Sequence, residues 1–140
     1  MEDKIKAYTQ KHNIDVELNF YSKDDLVKVI NYSDLYVHPS EVEIEAISCL
    51  EAITCGLVPV IANSKKSATT QFALTYDNLF ENKNSIDLAS KIDYWIEHPE
   101  EKSELSDKYL NYSKQFGIER SIDKMIEMFE DEIKEHSLKE

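Results

Sequence analysis

A short stretch in the middle of the chain concentrates acidic residues behind a single histidine. Glu41, Glu43, Glu45 and Glu51 follow His38 in the sequence. The stretch comes after a short apolar run and leads into a segment with helical spacing. Ligands of open α/β sheets bind at the carboxyl ends of strands, where the first N–H groups of the next helix attract anions. We therefore expect an anion-binding site bordered by carboxylates.

Glu43 and Glu51 do not suit a catalytic pair of carboxyl groups. If both were helical, eight residues would separate them by about 12 Å along the axis. Carboxyl pairs that act on one glycosidic bond lie about 5 to 9.5 Å apart. Two acceptors on either side of helix N–H groups suit instead an elongated ligand with hydroxyls at both ends and negative charge in the middle. A nucleotide sugar has this layout.

The composition excludes several other classes of function. The 140 residues carry 16 Lys and Arg against 28 Asp and Glu, a net charge of -12 that disfavours nucleic acid and a polybasic membrane anchor. Only two glycines occur, too few for a dinucleotide-binding or P-loop motif. Cys49 and Cys55 lack the spacing of a zinc or redox site, which favours two small buried side chains in a reduced cytosol. No apolar leader is evident, and we expect a cytoplasmic protein.

Short apolar runs alternate with segments of helical spacing, which is typical of a parallel sheet covered by helices. The predicted strands are Val16–Phe20, Leu35–His38, Leu57–Ala62 and a short one around Leu79 and Phe80. The predicted helices are Lys4–His12, a segment capped by Ser22 with Asp25, and one from Ala46 with Ile47, Leu50 and Ile53 on its face and Gly56 as its cap. Three more carry the stripes Ile86, Ala89, Ile92, Trp95 and Ile96; Leu105, Tyr109 and Tyr112; and Ile122, Met125, Ile126, Phe129 and Ile133. Pro59 lacks a ladder donor, so we expect pairing on one side only there.

The fold class is therefore α/β, with a Rossmann-like parallel sheet flanked by helices and a helical C-terminal tail. We expect one domain over residues 1–140, with a sheet core at about 15–82 and C-terminal helices at about 84–138. A complete doubly wound unit starts with a strand that carries its phosphate-binding turn. We see no such strand and expect the unit to be truncated at its N-terminal end.

The acidic stretch also carries a family resemblance. Pro39-Ser40-x-x-Glu43, followed by Glu51-Ala52-x-x-Cys55-Gly56 and Pro59-Val60-Ile61-Ala62, resembles the C-terminal donor-binding domain of family 4 retaining glycosyltransferases, one half of a GT-B fold. The similarity covers residues 15–130. Within the family, residues 42–52 look most like the bacterial diacylglycerol glucosyltransferases.

The resemblance implies roles for individual residues. Glu51 matches the glutamate that binds the ribose hydroxyls of the donor, and Glu43 matches the catalytic one beside the donor sugar. Backbone amides of Ile44, Glu45, Ala46 and Ile47 would face the diphosphate or the sugar. No metal ion is expected, because no Asp-x-Asp pair is present, and no cofactor is expected, because the nucleotide sugar is a substrate. His38 is either a contact with acceptor or donor, or a histidine with its hydrogen bonds satisfied internally; Glu41 and Glu45 also fit the simpler role of acids at a helix start.

Two departures from the family pattern bear on the site. Ile44 and Ala46 replace glycines that let the backbone approach the phosphates, which narrows the space there. The family's Arg and Lys for the diphosphate lie on earlier elements, and Lys65 and Lys66 are either the nearby substitutes or ordinary surface lysines.

The implied function is retaining transfer of a hexose from a UDP-glucose-like donor to a lipid or glycan acceptor. We expect no activity from this chain alone, because the N-terminal acceptor-binding domain is missing; the full enzyme could sit at the inner face of the membrane. The alternative is a non-catalytic nucleotide-binding or protein-interaction module derived from that fold. In complete GT-B enzymes the last helix packs on the N-terminal domain, so without that domain we expect the stripe Ile122 to Ile133 to be partly exposed and to favour self-association.

Overall fold

The computed structural model describes residues 2–137. Its six α-helices and three strands alternate in the order expected for an α/β protein. In chain order they are α1 (Glu2–Lys11), α2 (Lys23–Tyr32), β1 (Tyr36–His38), α3 (Ile47–Thr54), β2 (Pro59–Asn63), β3 (Leu79–Glu81), α4 (Ser85–Glu97), α5 (Pro99–Ser113) and α6 (Ile118–Ser137).

The three strands form one parallel sheet in the order β1-β2-β3. Pro59 faces Tyr36 of β1, whereas pairing with β3 begins only at Ile61. The Pro59 carbonyl instead accepts a hydrogen bond from the side-chain amide of Asn78 at 2.8 Å. The prediction of one-sided pairing at the proline is therefore confirmed, and so is the α/β class with a parallel sheet.

The core lies around β2, whose first four residues are all buried. Helix α3 contributes Cys49, Ala52 and Ile53, and the helices after the sheet contribute Trp95, Leu105 and Tyr109. Burial raises the pKa of the Cys49 thiol to about 12, so this side chain acts as a small apolar group.

The helix termini largely follow the predicted signals. The Ser22 hydroxyl accepts a hydrogen bond from the Asp25 N–H at 3.2 Å and caps α2. Gly56 ends α3 with φ +83°, a conformation that side-chain-bearing residues rarely adopt. Within residues 2–137, every helix is too short or too polar to span a bilayer.

The predicted strand at Val16–Phe20 is wrong, and the sheet begins at Tyr36 rather than near residue 15. Residues 14–22 have no regular secondary structure, and Phe20 is 98% exposed. Alternating apolar residues become a strand only beside a ladder partner, and none of the described strands lies alongside this segment.

Two predicted helix faces also need correction. Ile47 is exposed in α3, since Cys49, Ala52 and Ile53 make the contact with the core. In α4 the predicted Ile86, Ala89 and Ile96 are exposed, whereas Leu88 and Ile92 pack beside the buried Trp95. In both helices the neighbouring elements select a face that is offset from the stripe read from spacing alone.

Helices α1 and α6 contain no buried residue. The five apolar residues of the predicted stripe on α6 are between 47% and 66% exposed, as expected; they are Ile122, Met125, Ile126, Phe129 and Ile133.

Candidate functional site

The acidic stretch lies at the carboxyl end of β1, in the loop that leads to α3. This loop is fastened to the segment after β2 by two backbone hydrogen bonds. The Glu43 N–H donates to the Lys66 carbonyl at 3.3 Å, and the Ala68 N–H donates to the Glu43 carbonyl at 2.8 Å. The Ser64 hydroxyl adds a bond to the Glu41 carbonyl at 2.7 Å. The backbone of Glu43 is thus held in a single parallel bridge, which fixes where its side chain starts.

The Glu43 carboxylate is half-buried and lies between a backbone amide and a histidine ring. Its Oε1 accepts a hydrogen bond from the Ile44 N–H at 3.0 Å. Its Oε2 lies 3.8 Å from Nε2 of His38. The predicted amide of Ile44 is therefore engaged with Glu43 rather than open to a ligand.

His38 is only 7% exposed, so its ring meets the site through Glu43 rather than at the surface. Its Nδ1 lies 2.9 Å from the Tyr36 hydroxyl. Burial lowers the pKa of His38, and the neighbouring carboxylate of Glu43 opposes that effect.

Tyr36 and Ser48 belong to the site but were missed in the sequence. The Tyr36 hydroxyl lies 2.9 Å from the Ser48 hydroxyl, which joins the end of β1 to the first turn of α3. Burial raises the pKa of Tyr36; the Ser48 hydrogen bond opposes this, and the charges of Glu43 and Glu51 add to it. Tyr36 shares a strand face with His38 by alternation, a signal that was available, whereas no local pattern marks Ser48.

Ala46 begins α3 in a left-handed conformation, with φ 59° and ψ 33°. Such a conformation costs about 1–2 kcal/mol in a residue with a Cβ. Ala46 is 1% exposed and its methyl belongs to the core cluster. Ile44 projects from the loop and is 85% exposed.

Residues 42–48 line an open groove of about 500 Å³. Along this groove, the N–H groups of Glu45, Ala46, Ile47 and Ser48 have no acceptor within the described part of the chain. Free N–H groups at the start of a helix attract anions. Two of the four predicted amide donors, those of the exposed Glu45 and Ile47, are thus available here, whereas Ala46 is buried.

Glu51 lies in the second turn of α3, exposed to solvent. Its carboxylate has no hydrogen bond or ion pair with any residue in 2–137, so it can accept hydroxyl groups of a ligand. Glu43 lies in the loop and not in a helix, so the separation of about 12 Å calculated for two helical residues does not apply.

Lysines lie next to this loop. Lys83 forms an ion pair with Glu41 at 2.8 Å, and its hydrogen bond and charge, with a smaller effect of Lys66, lower the pKa of Glu41. Lys83 was missed because it is distant in sequence and follows β3. Lys65 and Lys66 are exposed on the loop after β2.

A larger open groove, of about 780 Å³, lies beyond β3. Its carboxylates are engaged: Asp87 accepts from the Glu81 N–H at 2.6 Å, and Glu81 accepts from the Asn84 amide at 2.7 Å. Among residues 2–137, no three His, Cys, Asp or Glu side chains are grouped closely enough to hold a metal ion.

Comparisons with known proteins relate this chain to glycosyltransferases. The family model described as glycosyl transferases group 1 matches residues 1–116. The catalytic domain of cholesterol-alpha-glucosyltransferase from Helicobacter pylori is similar in structure, with a TM-score of 0.79, 44% sequence identity, and coverage of 83% of this chain and 73% of that chain.

An uncharacterized glycosyltransferase from Haemophilus influenzae is 27% identical over 125 residues, which cover 87% of this chain. The chain spans about a third of that relative, 35% of its length. The family match covers most of the chain, and the fold is that of part of a GT-B domain. The chain therefore belongs to the group 1 glycosyltransferases.

Proposed function

We propose that this chain is the sugar-donor half of a retaining glycosyltransferase that transfers glucose from a UDP-glucose-like donor to a lipid hydroxyl. One observation carries the proposal: Glu43 precedes the start of α3 and Glu51 follows it, and the exposed N–H groups of residues 45, 47 and 48 between them have no acceptor in the described part of the chain. Acceptors and donors in this order suit a nucleotide sugar, which has hydroxyls at both ends and negative charge in the middle.

The diphosphate of the donor occupies the groove along residues 42–48. The free N–H groups of the exposed Glu45, Ile47 and Ser48 donate to its oxygens, and the positive end of α3 favours its charge. Lys66 and Lys83 lie near the same loop and add positive charge in a chain whose net charge is -12. No metal ion is needed for this mode of binding.

The two carboxylates bind the two sugars of the donor. Glu51 accepts the ribose hydroxyls, for which an ionised carboxylate is a stronger acceptor than an amide. Glu43 orients the hydroxyls of the glucose and stabilises the positive charge that develops on its ring as the bond to phosphate breaks.

The acceptor is a hydroxylated lipid such as a sterol. This rests on the 44% identity to a Helicobacter pylori protein that is described as a cholesterol glucosyltransferase. The likeness of residues 42–52 to diacylglycerol glucosyltransferases favours the same class of acceptor. Transfer also requires an acceptor-binding domain, and residues 2–137 do not contain one. This chain alone is therefore inactive. The complete enzyme works at the inner face of the membrane.

Ligand-detected NMR with UDP, UDP-glucose and ADP-glucose tests the donor site. We expect binding selective for the uridine ligands at about millimolar affinity, which corresponds to about 4 kcal/mol. Glu51→Ala removes it, whereas Glu104→Ala, a matched change on the exposed side of α5, does not. Equal binding of all three nucleotides by wild type and Glu51→Ala would contradict the assignment.

The alternative is a module that binds a nucleotide without catalysis. It is favoured by the exposed faces of α1 and α6, which leave apolar residues free for a protein partner. Addition of the N-terminal half of a relative in trans separates the two: glucose transfer to a lipid supports the enzyme, and binding without transfer supports the module.

A further inference from the structure

His38 carries an unusual buried atom. Its Nε2 is inaccessible to solvent and has no hydrogen-bond partner among the described residues. A buried polar atom without a partner is unfavourable, so such an atom indicates an interaction that completes in another state. The nearest carboxylate oxygen is Oε2 of Glu43 at 3.8 Å, which is longer than a hydrogen bond.

The surrounding hydrogen bonds decide which ring nitrogen carries the proton. Burial lowers the pKa of His38 and raises that of Tyr36, so the ring is neutral and the phenol is protonated near pH 7. If Nδ1 carried the proton, the lone pair of Nε2 would face the Glu43 carboxylate, and two acceptors would repel each other. If Tyr36 donates to Nδ1, the proton is on Nε2 and points to Glu43.

The Ser48 hydroxyl makes this direction self-consistent. It lies 2.9 Å from the Tyr36 oxygen and can donate to it, while Tyr36 donates to Nδ1 of His38, also at 2.9 Å. Every hydroxyl then donates once and in the same direction, from α3 through β1 to the loop. The chain of donors ends at Nε2–H of His38.

We propose that His38 is a positioning residue for Glu43, whose Oε2 it binds through Nε2–H once the carboxylate moves on the order of 1 Å toward the ring. Long hydrogen bonds in a site without ligand commonly shorten in the complex. The Ile44 N–H already holds Oε1 at 3.0 Å. Both oxygens are then fixed, and each keeps a lone pair for a ligand hydroxyl. The role of Glu43 toward the sugar rests on the proposed function, whereas the hydrogen bond between His38 and Glu43 is independent of that function.

Long-range ¹H–¹⁵N NMR of the wild-type chain tests the proton position without any ligand. His12 and His136 are exposed and supply reference signals. We expect a neutral His38 ring protonated at Nε2 at neutral pH. A ring protonated mainly at Nδ1 would overturn the proposal, and this result needs no variant to fold.

Two substitutions of His38 distinguish a hydrogen-bond donor at Nε2 from a side chain that only fills space. A Gln amide reaches about the position of Nε2, whereas an Asn amide reaches only that of Nδ1. The ¹³C signal of the Glu43 carboxylate, assigned by its loss in Glu43→Gln, should stay near its wild-type position in His38→Gln and shift in His38→Asn. Equal shifts in both variants, or none in either, would refute a donor role.

Titrations with UDP and UDP-glucose connect this interaction to the sugar. His38→Asn is expected to weaken the binding of UDP-glucose by about tenfold and to leave the binding of UDP unchanged. His38→Gln is expected to bind UDP-glucose about as well as the wild type does. Equal weakening of both ligands would contradict the positioning role. Failure of the wild type to bind any nucleotide would count against the donor site alone, since the proton position of His38 is measured independently.

Discussion

Ala46 and Ala52 offer a matched test of the backbone at the candidate site. Both are alanines of the α3 region and both are buried, at 1% and 0% exposure, but only Ala46 has a positive φ, 59°. Ala46→Gly relieves about 1–2 kcal/mol of left-handed strain. It loses about 0.8 kcal/mol of methyl burial and about 0.4–1 kcal/mol through the freer unfolded chain. The net change in the free energy of unfolding is therefore about zero.

Ala52→Gly has no strain to relieve. It loses about 0.8 kcal/mol of methyl burial and about 1 kcal/mol of helix propensity, so we expect destabilisation by about 2 kcal/mol. Urea denaturation followed by circular dichroism measures both variants, and the two should differ by about 2 kcal/mol at equal m-values. If Ala46→Gly destabilised the protein as much as Ala52→Gly, the left-handed start of α3 would be incorrect.

Three further predictions concern the core and the site. Gly56→Ala should lower the free energy of unfolding by about 2 kcal/mol or more, because φ is +83° and the new Cβ would lie 2.9 Å from the Ser106 hydroxyl. Gly117 has no positive φ, so Gly117→Ala should change stability by less than about 1 kcal/mol in the same urea assay. Tyr109→Phe should cost about 1–3 kcal/mol of stability, because it removes a buried hydroxyl that lies 2.9 Å from the Phe72 carbonyl and from Oδ1 of Asn78. The control Tyr112→Phe should cost about 0.5 kcal/mol at most. Similar losses in the two variants would argue against these hydrogen bonds of Tyr109. Burial lowers the pKa of His38, so the stability that the neutral ring contributes is complete above the unfolded pKa of 6.5 and is lost as pH falls through the folded pKa. The difference in free energy of unfolding between wild type and His38→Gln should therefore shrink from pH 7.5 to pH 5.5. A constant difference would contradict this prediction.

Features that depend on neighbouring residues in the chain were predicted correctly. The cap at Ser22, the stop at Gly56 and the one-sided pairing at Pro59 each follow from the backbone chemistry of one residue. The parallel sheet followed from the alternation of apolar runs with helical segments.

Features that depend on residues distant in sequence were not predicted correctly. Val16–Phe20 has the alternation of a strand but lacks a ladder partner within the described residues. The buried face of α4 is set by its contact with the sheet and α5, so Leu88 replaced Ile86. Periodicity specifies that a helix has an apolar face, but packing selects which residues form it.

For the site, the sequence by itself determined the acidic stretch, its place after β1 and the family resemblance, because all three reside in contiguous residues. Only the tertiary structure decided that the Ile44 amide binds Glu43, that Ala46 turns its methyl into the core, and that Tyr36, Ser48 and Lys83 reach the loop. These contacts join residues on different elements, and the three-dimensional packing of those elements brings them within hydrogen-bonding distance.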